Sequence, residues 1–295
     1  MNSRLCQGRS AIVTGAGGGL GRSYAKALAA AGASVIVNDI NAETAAETVA
    51  QIRDAGGIAE VNLNDITDHE DAGRIVQQAI QSFGDCQVIV NNAGICRDRM
   101  FASMSPDDWD EVIAVHLRGH FCISSHLARF WRSQSKDGKA VSGRIINTSS
   151  GAGLLGSVGQ SNYSAAKGGI LSLTLVQAAE LARYGVTVNA LAPQARTGMT
   201  KDVFGDMMKV PDDGSFDVYH PDNAAPLVVW LASEASSHVT GRCFEIFGGK
   251  LSIADGWCTG PVRDKAARWD ADELTDAVND LLAQVEPPQP VYGSE

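Results

Sequence analysis

From Ser10 onward the chain alternates short apolar runs with longer stretches of helical periodicity. SAIVT, ASVIVND, GIAEVNL, CQVIVNN, GRIINTSS and GVTVNAL are the short runs, each rich in β-branched residues and separated from the next by enough chain for a helix. VIV and VIVNN do not alternate between apolar and polar positions, which predicts strands covered on both faces and therefore a parallel sheet. Between Asn41 and Ala55, Ala45, Val49 and Ile52 recur at helical spacing, and Gly56-Gly57 ends the pattern. An α/β, doubly wound fold with helices on both faces is expected. No linker, composition shift or internal repeat divides the first 250 residues, so residues 1–261 are expected to form one domain. Residues 262–295 give an amphipathic stretch, DADELTDAVNDLLAQV, followed by EPPQPVYGSE. This is a C-terminal helix and tail, either packed and frayed or an arm over a neighbouring subunit or a ligand cleft.

Composition narrows the function. The 295 residues are 44% apolar and 20% charged, ordinary for a globular chain, with a net charge of −10. That balance argues against a nucleic-acid or anionic-membrane surface, either of which needs a basic footprint. Six cysteines are present without a CxxC pair, which disfavours a disulfide framework or structural zinc and points to reduced thiols. Without a secretory pattern at the start or an apolar run long enough to span a membrane, a cytoplasmic location is expected.

Immediately after the first strand comes Thr14-Gly15-Ala16-Gly17-Gly18-Gly19-Leu20-Gly21, then a helical pattern. Such a turn needs positive φ or absent side chains, and it brings backbone amides at a helix start to a pyrophosphate, with the helix dipole behind them. Asp39 ends the second strand, 18 residues beyond Gly21, where a carboxylate can accept hydrogen bonds from ribose hydroxyls. This favours NAD, since a 2′-phosphate would meet a like charge; Arg22, just past the loop, works slightly against that preference. Asp65 and Ile66 follow the third strand, where Asp65 can meet an adenine edge, and Asn91-Asn92-Ala93-Gly94 closes the fourth, small residues there letting the backbone approach a cofactor.

Tyr163 and Lys167 lie four apart, one turn along a helix face. An ammonium there, together with an oxidised nicotinamide, would favour phenolate. Ser150, thirteen residues upstream at the end of GRIINTSS, can hydrogen-bond a reacting oxygen. The three make a proton-transfer site suited to hydride chemistry on a secondary alcohol, Lys167 also serving to fix the ribose. His116 and His120, also four apart, lack a third ligand nearby, so no metal is expected. In residues 198–220, Phe204, Met207 and Met208 line either an apolar pocket or a small satellite core.

TGxxxGxG, NNAG, serine and YxxxK, in this order and spacing across residues 8–250, resemble the short-chain dehydrogenase/reductase family. The resemblance implies a single Rossmann-type dinucleotide-binding and catalytic domain with a seven-stranded parallel sheet, assembled as a homodimer or homotetramer. It carries over Ser150, Tyr163 and Lys167 as catalytic residues and Asp39 as the ribose ligand. NNAGICRDRMF, DEVIAVHLRGHF, GQSNYSAAKGGI and APLVVWLASEASSHVTGRCFEIFGG are similar to the dehydrogenase part of peroxisomal multifunctional enzyme type 2 and its bacterial, steroid-catabolic relatives. That implies oxidation of a (3R)-3-hydroxyacyl-CoA, including one with a steroid acyl group. Two positions depart from the wider family. His116 stands where most members have an asparagine in a proton relay; its ring, or backbone alone, takes that role, or it packs a helix. Pro193-Gln194 replaces Pro-Gly, with Thr197 left to contact the carboxamide. Arg97, Arg99, Arg196 and Lys201 are candidates for CoA phosphates or plain solvated charges. A hydroxysteroid dehydrogenase on free alcohols is the alternative, followed by a 3-ketoacyl carrier protein reductase and a non-catalytic dinucleotide sensor.

Overall fold

In the computed structural model, which describes residues 4–198, 208–254, 256 and 258–294, the six apolar runs are six parallel strands. They are β1 (Ser10–Thr14), β2 (Ser34–Asn38), β3 (Ile58–Asn62), β4 (Val88–Asn91), β5 (Gly143–Thr148) and β6 (Val186–Gln194). A seventh parallel strand, β7 (Cys243–Phe247), lies beside β6. The sheet order is β3-β2-β1-β4-β5-β6-β7-β8, so the winding reverses between β1 and β4. At such a switch point the loops leaving the two strands diverge and open a crevice beyond their carboxyl ends.

The described residues form eight strands where seven are expected. The last, β8 (Lys250–Ala254), is antiparallel to β7, with Phe247 opposite Lys250 and Cys243 opposite Ala254. Gly248-Gly249 makes the reversal possible, Gly248 adopting φ +55°, a conformation that side-chain-bearing residues avoid.

Successive residues of the central strands feed opposite cores. Ala11 and Val13 of β1, Val35 and Val37 of β2, and Val88 and Val90 of β4 pack on one face against α1 (Gly19–Ala30), α2 (Ala42–Asp54) and α8 (Ala225–Ala232). Ile12, Ile36 and Ile89 point the other way, to α3 (His69–Phe83) and α5 (Gly119–Lys136). This explains why those strands lack polar alternation; each fully buried side chain of this size contributes about 1.5–3 kcal/mol. The helix expected at 41–55 is α2, with the Asn41 side chain accepting from the Thr44 N–H at 3.1 Å as its N-cap.

On the second face, α4 (Pro106–Ile113) begins at a capping box formed by Ser105 and Asp108, and runs through a π-helical turn, Ala114–Arg118, into α5. After β5 come a short α6 (Gly151–Leu155) and the long α7 (Ser161–Leu181). In the final stretch, α9 (Leu274–Leu282) precedes a tail whose Tyr292 bridges to Ser157. No helix of the described residues is long and apolar enough to cross a membrane.

Candidate active site

The loop from β1 into α1 occupies one side of the crevice. Gly15 has φ +61°, and a Cβ there would stand 2.7 Å from Ala93 Cα; one on Gly21 would stand 2.1 Å from the Gly15 carbonyl oxygen. The turn therefore closes only with bare backbone at both positions. The Thr14 hydroxyl accepts from the N–H groups of Asn92 and Ala93 at 3.0 and 3.1 Å, joining the β1 and β4 ends. Among the described residues nothing covers the front of α1: Gly18 is exposed, a Cβ on it would meet none of them within 4 Å, and the first turn of the helix has neither an acidic residue nor a side-chain cap. Uncapped N–H groups with the positive end of the helix dipole fit an anionic pyrophosphate. Leu20 packs partly into the core, and the methyl of Thr197 lies 3.3 Å from where a Gly19 Cβ would be, so the segment after β6 folds over the glycine turn.

Asp39 stands at the rim. Its carboxylate accepts from the N–H of Gly17 at 2.9 Å and of Asn41 at 3.0 Å. Arg22, just past the glycine loop, is committed elsewhere: it donates to the Gly17 carbonyl and to Thr48 Oγ1 and pairs with Glu47 at 3.0 Å. Asp65 is exposed and accepts from the Thr67 N–H at 2.8 Å, while Ile66 is buried against Gly119. Asn91 is different from its neighbours. Its amide is buried and donates to Ser124 Oγ and Asn147 Oδ1, so this side chain ties β4 to α5 and β5 and faces away from the crevice. Ala93 and Gly94 are half-buried beside the crevice. Pro193 and Gln194 continue β6, paired with Ile246 and Phe247.

Ser150, Tyr163 and Lys167 come together at the carboxyl end of β5. Ser150 caps α6, accepting from the Ala152 N–H at 3.2 Å, and hydrogen-bonds the phenol of Tyr163. α6 can lie on α7 because Gly153 has no side chain; a Cβ there would be 2.7 Å from Lys167 backbone. The Lys167 ammonium is buried, sits 5.4 Å from the Tyr163 ring centroid and donates to the Thr148 carbonyl at 2.6 Å. Burial lowers Lys167 from 10.5 to about 7, against a small opposing effect of Cys96. Burial also pushes the Tyr163 phenol up, with Cys96 and Asp98 adding to it and the Ser150 hydrogen bond opposing. Without the oxidised nicotinamide, whose positive charge the expected phenolate also requires, burial keeps the Tyr163 phenol protonated.

His116 is fully buried in the π turn, edge-on to the Tyr163 ring at 5.1 Å and against Gly94. Its Nε2 is 3.0 Å from the Ile95 N–H and 2.8 Å from the Ile95 carbonyl, so its tautomer decides which it engages; Nδ1 has no hydrogen-bond partner among the described residues. Burial, then the Lys167 charge, lower it to about 3, which keeps the ring neutral at ordinary pH. His120 is equally buried, close to the His116 and Asn91 carbonyls, and burial likewise holds it neutral. Among the described residues no cluster of three metal-ligating side chains occurs.

Sequence reasoning passed over three groups here. Cys96, two residues beyond NNAG, faces Tyr163 and Lys167. Thr148 supplies the carbonyl that holds Lys167. Asn162 donates to the carbonyls of Arg97 and Asp108 and accepts from the Tyr163 N–H, fixing the start of α7; its place beside Tyr163 was the available signal. Of the cations expected for CoA phosphates, Arg97 pairs with Glu111, Arg196 pairs with Asp217 and donates to the Met208 carbonyl, and Arg99 rests on the Asp98 carbonyl. Met208 is half-buried; Lys201, Phe204 and Met207 lie outside the described residues.

Comparison with known proteins gives a consistent set of likenesses. The short chain dehydrogenase family model matches residues 9–207. Hydroxyacyl-CoA dehydrogenase ChsB1 of Mycobacterium tuberculosis is 43% identical over 300 aligned residues, spanning 98% of this chain and 93% of that protein. Peroxisomal multifunctional enzyme type 2 of Mus musculus is 41% identical over 251 residues, 82% of this chain but only 32% of the longer mouse protein. A crystal structure of a short chain dehydrogenase from Mycobacterium avium superposes with a TM-score of 0.90 at 52% identity, covering 98% of this chain and all of that one.

Proposed function

The chain belongs to the short-chain dehydrogenase family, and from that premise we propose that it oxidises a (3R)-3-hydroxyacyl-CoA to the 3-ketoacyl-CoA with NAD. The observation that carries this reading is the meeting of Ser150, Tyr163 and Lys167 beside an open glycine cradle, in a chain that parallels a hydroxyacyl-CoA dehydrogenase along nearly its whole length. Bound oxidised nicotinamide supplies the hydride acceptor and a positive charge. Tyr163, in the phenolate form that this charge and the Lys167 ammonium would favour, takes the hydroxyl proton at its phenol oxygen, and Ser150 holds the reacting oxygen by hydrogen bond. Lys167, anchored on the Thr148 carbonyl, adds positive charge beside Tyr163 and holds the ribose. Thr14, Gly15, Gly18, Gly19, Leu20 and Gly21 form the pyrophosphate turn; Asp65, Ile66, Ala93, Gly94, Pro193 and Thr197 line the remainder. Asp39 selects NAD, because Arg22 is already paired with Glu47 and cannot offset a 2′-phosphate.

Residues 1–261 are read as the catalytic domain, in a cytoplasmic homodimer or homotetramer. A second reading, oxidation of free steroid alcohols, draws support from the net charge of −10 and from the ion pairs that occupy Arg97 and Arg196. Turnover of (3R)-3-hydroxyacyl-CoA thioesters and free steroid alcohols, each with NAD and NADP, separates the two. Thioester oxidation preferring NAD is expected; steroid turnover without thioester turnover replaces the substrate assignment, and equal use of NADP removes the role of Asp39. Tyr163→Phe is expected to lower kcat by about 10²–10⁴-fold with NAD binding retained. Unchanged turnover in that variant would sink the mechanism.

A further inference from the structure

The catalytic serine and tyrosine are joined by one short connection, Gly151–Gln160, and the end of the chain is laid upon it. Tyr292 donates its N–H to the Gly156 carbonyl at 3.3 Å, and its own carbonyl accepts from the Val158 N–H at 2.9 Å, which makes a parallel bridge between Tyr292 and Ser157. The tail fits glycines. A Cβ on Gly151, the residue after Ser150, would stand 2.9 Å from the Tyr292 hydroxyl and 3.1 Å from its ring. Gly156, at φ +80°, would meet Val291 at 3.3 Å.

The other side of the same connection is fixed independently. Arg99 donates its N–H to the Gly159 carbonyl at 2.8 Å, and the Gln160 amide donates to Asp98 at 2.9 Å. The segment between Ser150 and Tyr163 is thus clamped between the loop after β4 and the tail. Val158, Val291 and Tyr292 stay 45%, 41% and 41% exposed, an apolar strip beginning one residue from the serine that meets the reacting oxygen. Apolar side chains held at such a place by backbone pairing have no core to fill. They are suited to covering apolar surface of whatever reacts next to them.

We propose that the tail is part of the substrate site: Tyr292 and Val291, with Val158, form a shelf that receives the apolar acyl portion of the substrate, making Tyr292 a specificity-determining residue. This rests on the reaction assigned above. The test is steady-state kinetics of the full-length protein, Tyr292→Ala and Tyr292→Phe with (3R)-3-hydroxybutanoyl-CoA and (3R)-3-hydroxyhexadecanoyl-CoA, NAD affinity being measured separately by fluorescence quenching. Tyr292→Ala is expected to raise KM for the long thioester about tenfold relative to the short one, with NAD affinity unchanged. Tyr292→Phe keeps the ring and is expected to restore the wild-type ratio. Equal loss on both substrates would mark a structural support for Ser150 and overturn the shelf, as would no change on either. Should the protein oxidise only free alcohols, the thioester reading falls, and the same three proteins are compared on butan-2-ol and hexadecan-2-ol. A loss confined to the longer alcohol in Tyr292→Ala then upholds the shelf, and equal rates overturn it.

Discussion

Lys167 is held on a backbone carbonyl in a buried place, and burial brings its ammonium from 10.5 down to about 7. The unfolded chain keeps that proton up to the ordinary lysine range, so between about pH 7 and pH 10 the unfolded state binds more protons than the folded one. Stability from this site therefore rises with pH across that window and is lost as pH falls toward 7. Denaturant unfolding of the wild type and Lys167→Met at pH 7 and pH 9 reads it directly: the wild type is expected to gain on the variant at the higher pH, and a constant difference would show the lysine is not perturbed. The same burial that weakens Lys167 also keeps His116 neutral, so His116 meets Tyr163 as an aromatic edge and meets the Ile95 backbone through Nε2. A substitution of asparagine by histidine is visible in sequence. Its consequence depends on how deeply the ring is buried, which only the packing of Gly94 and the π turn determines.

At the scale of elements, the turn from β1 into α1 contains glycines with opposite duties. Gly21 faces the Gly15 backbone, whereas Gly18, at extended φ −159°, faces none of the described residues. Gly21→Ala is expected to cost about 1–3 kcal/mol in unfolding. Gly18→Ala is expected to melt like the wild type yet bind NAD several-fold more weakly, since its methyl would project into the cradle; thermal melts and NAD titration of the two variants make the comparison. Elements with a strong local pattern were legible beforehand. All six apolar runs became strands, and Asn41 capped the helix whose period ended at Gly56-Gly57. β8 was missed although its signal was present, two apolar runs, CFEIF and KLSIA, about a Gly-Gly pair. The π turn was not legible, because VHLRG keeps ordinary helical spacing. The direction of the Asn91 side chain was not legible for a related reason: the sequence places it among small residues at a strand end, and the pleat turns its side chain into the buried Ser124–Asn147 network.

For the whole molecule, the net charge of −10 sets a repulsive background for a polyanionic thioester, and Arg97 and Arg196 are paired with Glu111 and Asp217. Added salt screens this repulsion within about 10 Å at 0.1 M. kcat/KM for the thioester is accordingly expected to rise as ionic strength increases from low values, where a positively steered site would show a fall. The antiparallel course of β8 has a further effect. It carries the chain back to the amino ends of the strands, so everything after Ala254 must travel the length of the sheet again before Tyr292 reaches Gly156. Arg263 and Arg268 lie exposed on that return path, outside helix and strand. A single proteolytic cut at either would leave every strand and the Ser150–Tyr163–Lys167 group covalently intact. It would also turn the tail from a tethered neighbour into a separate peptide at the concentration of the protein itself.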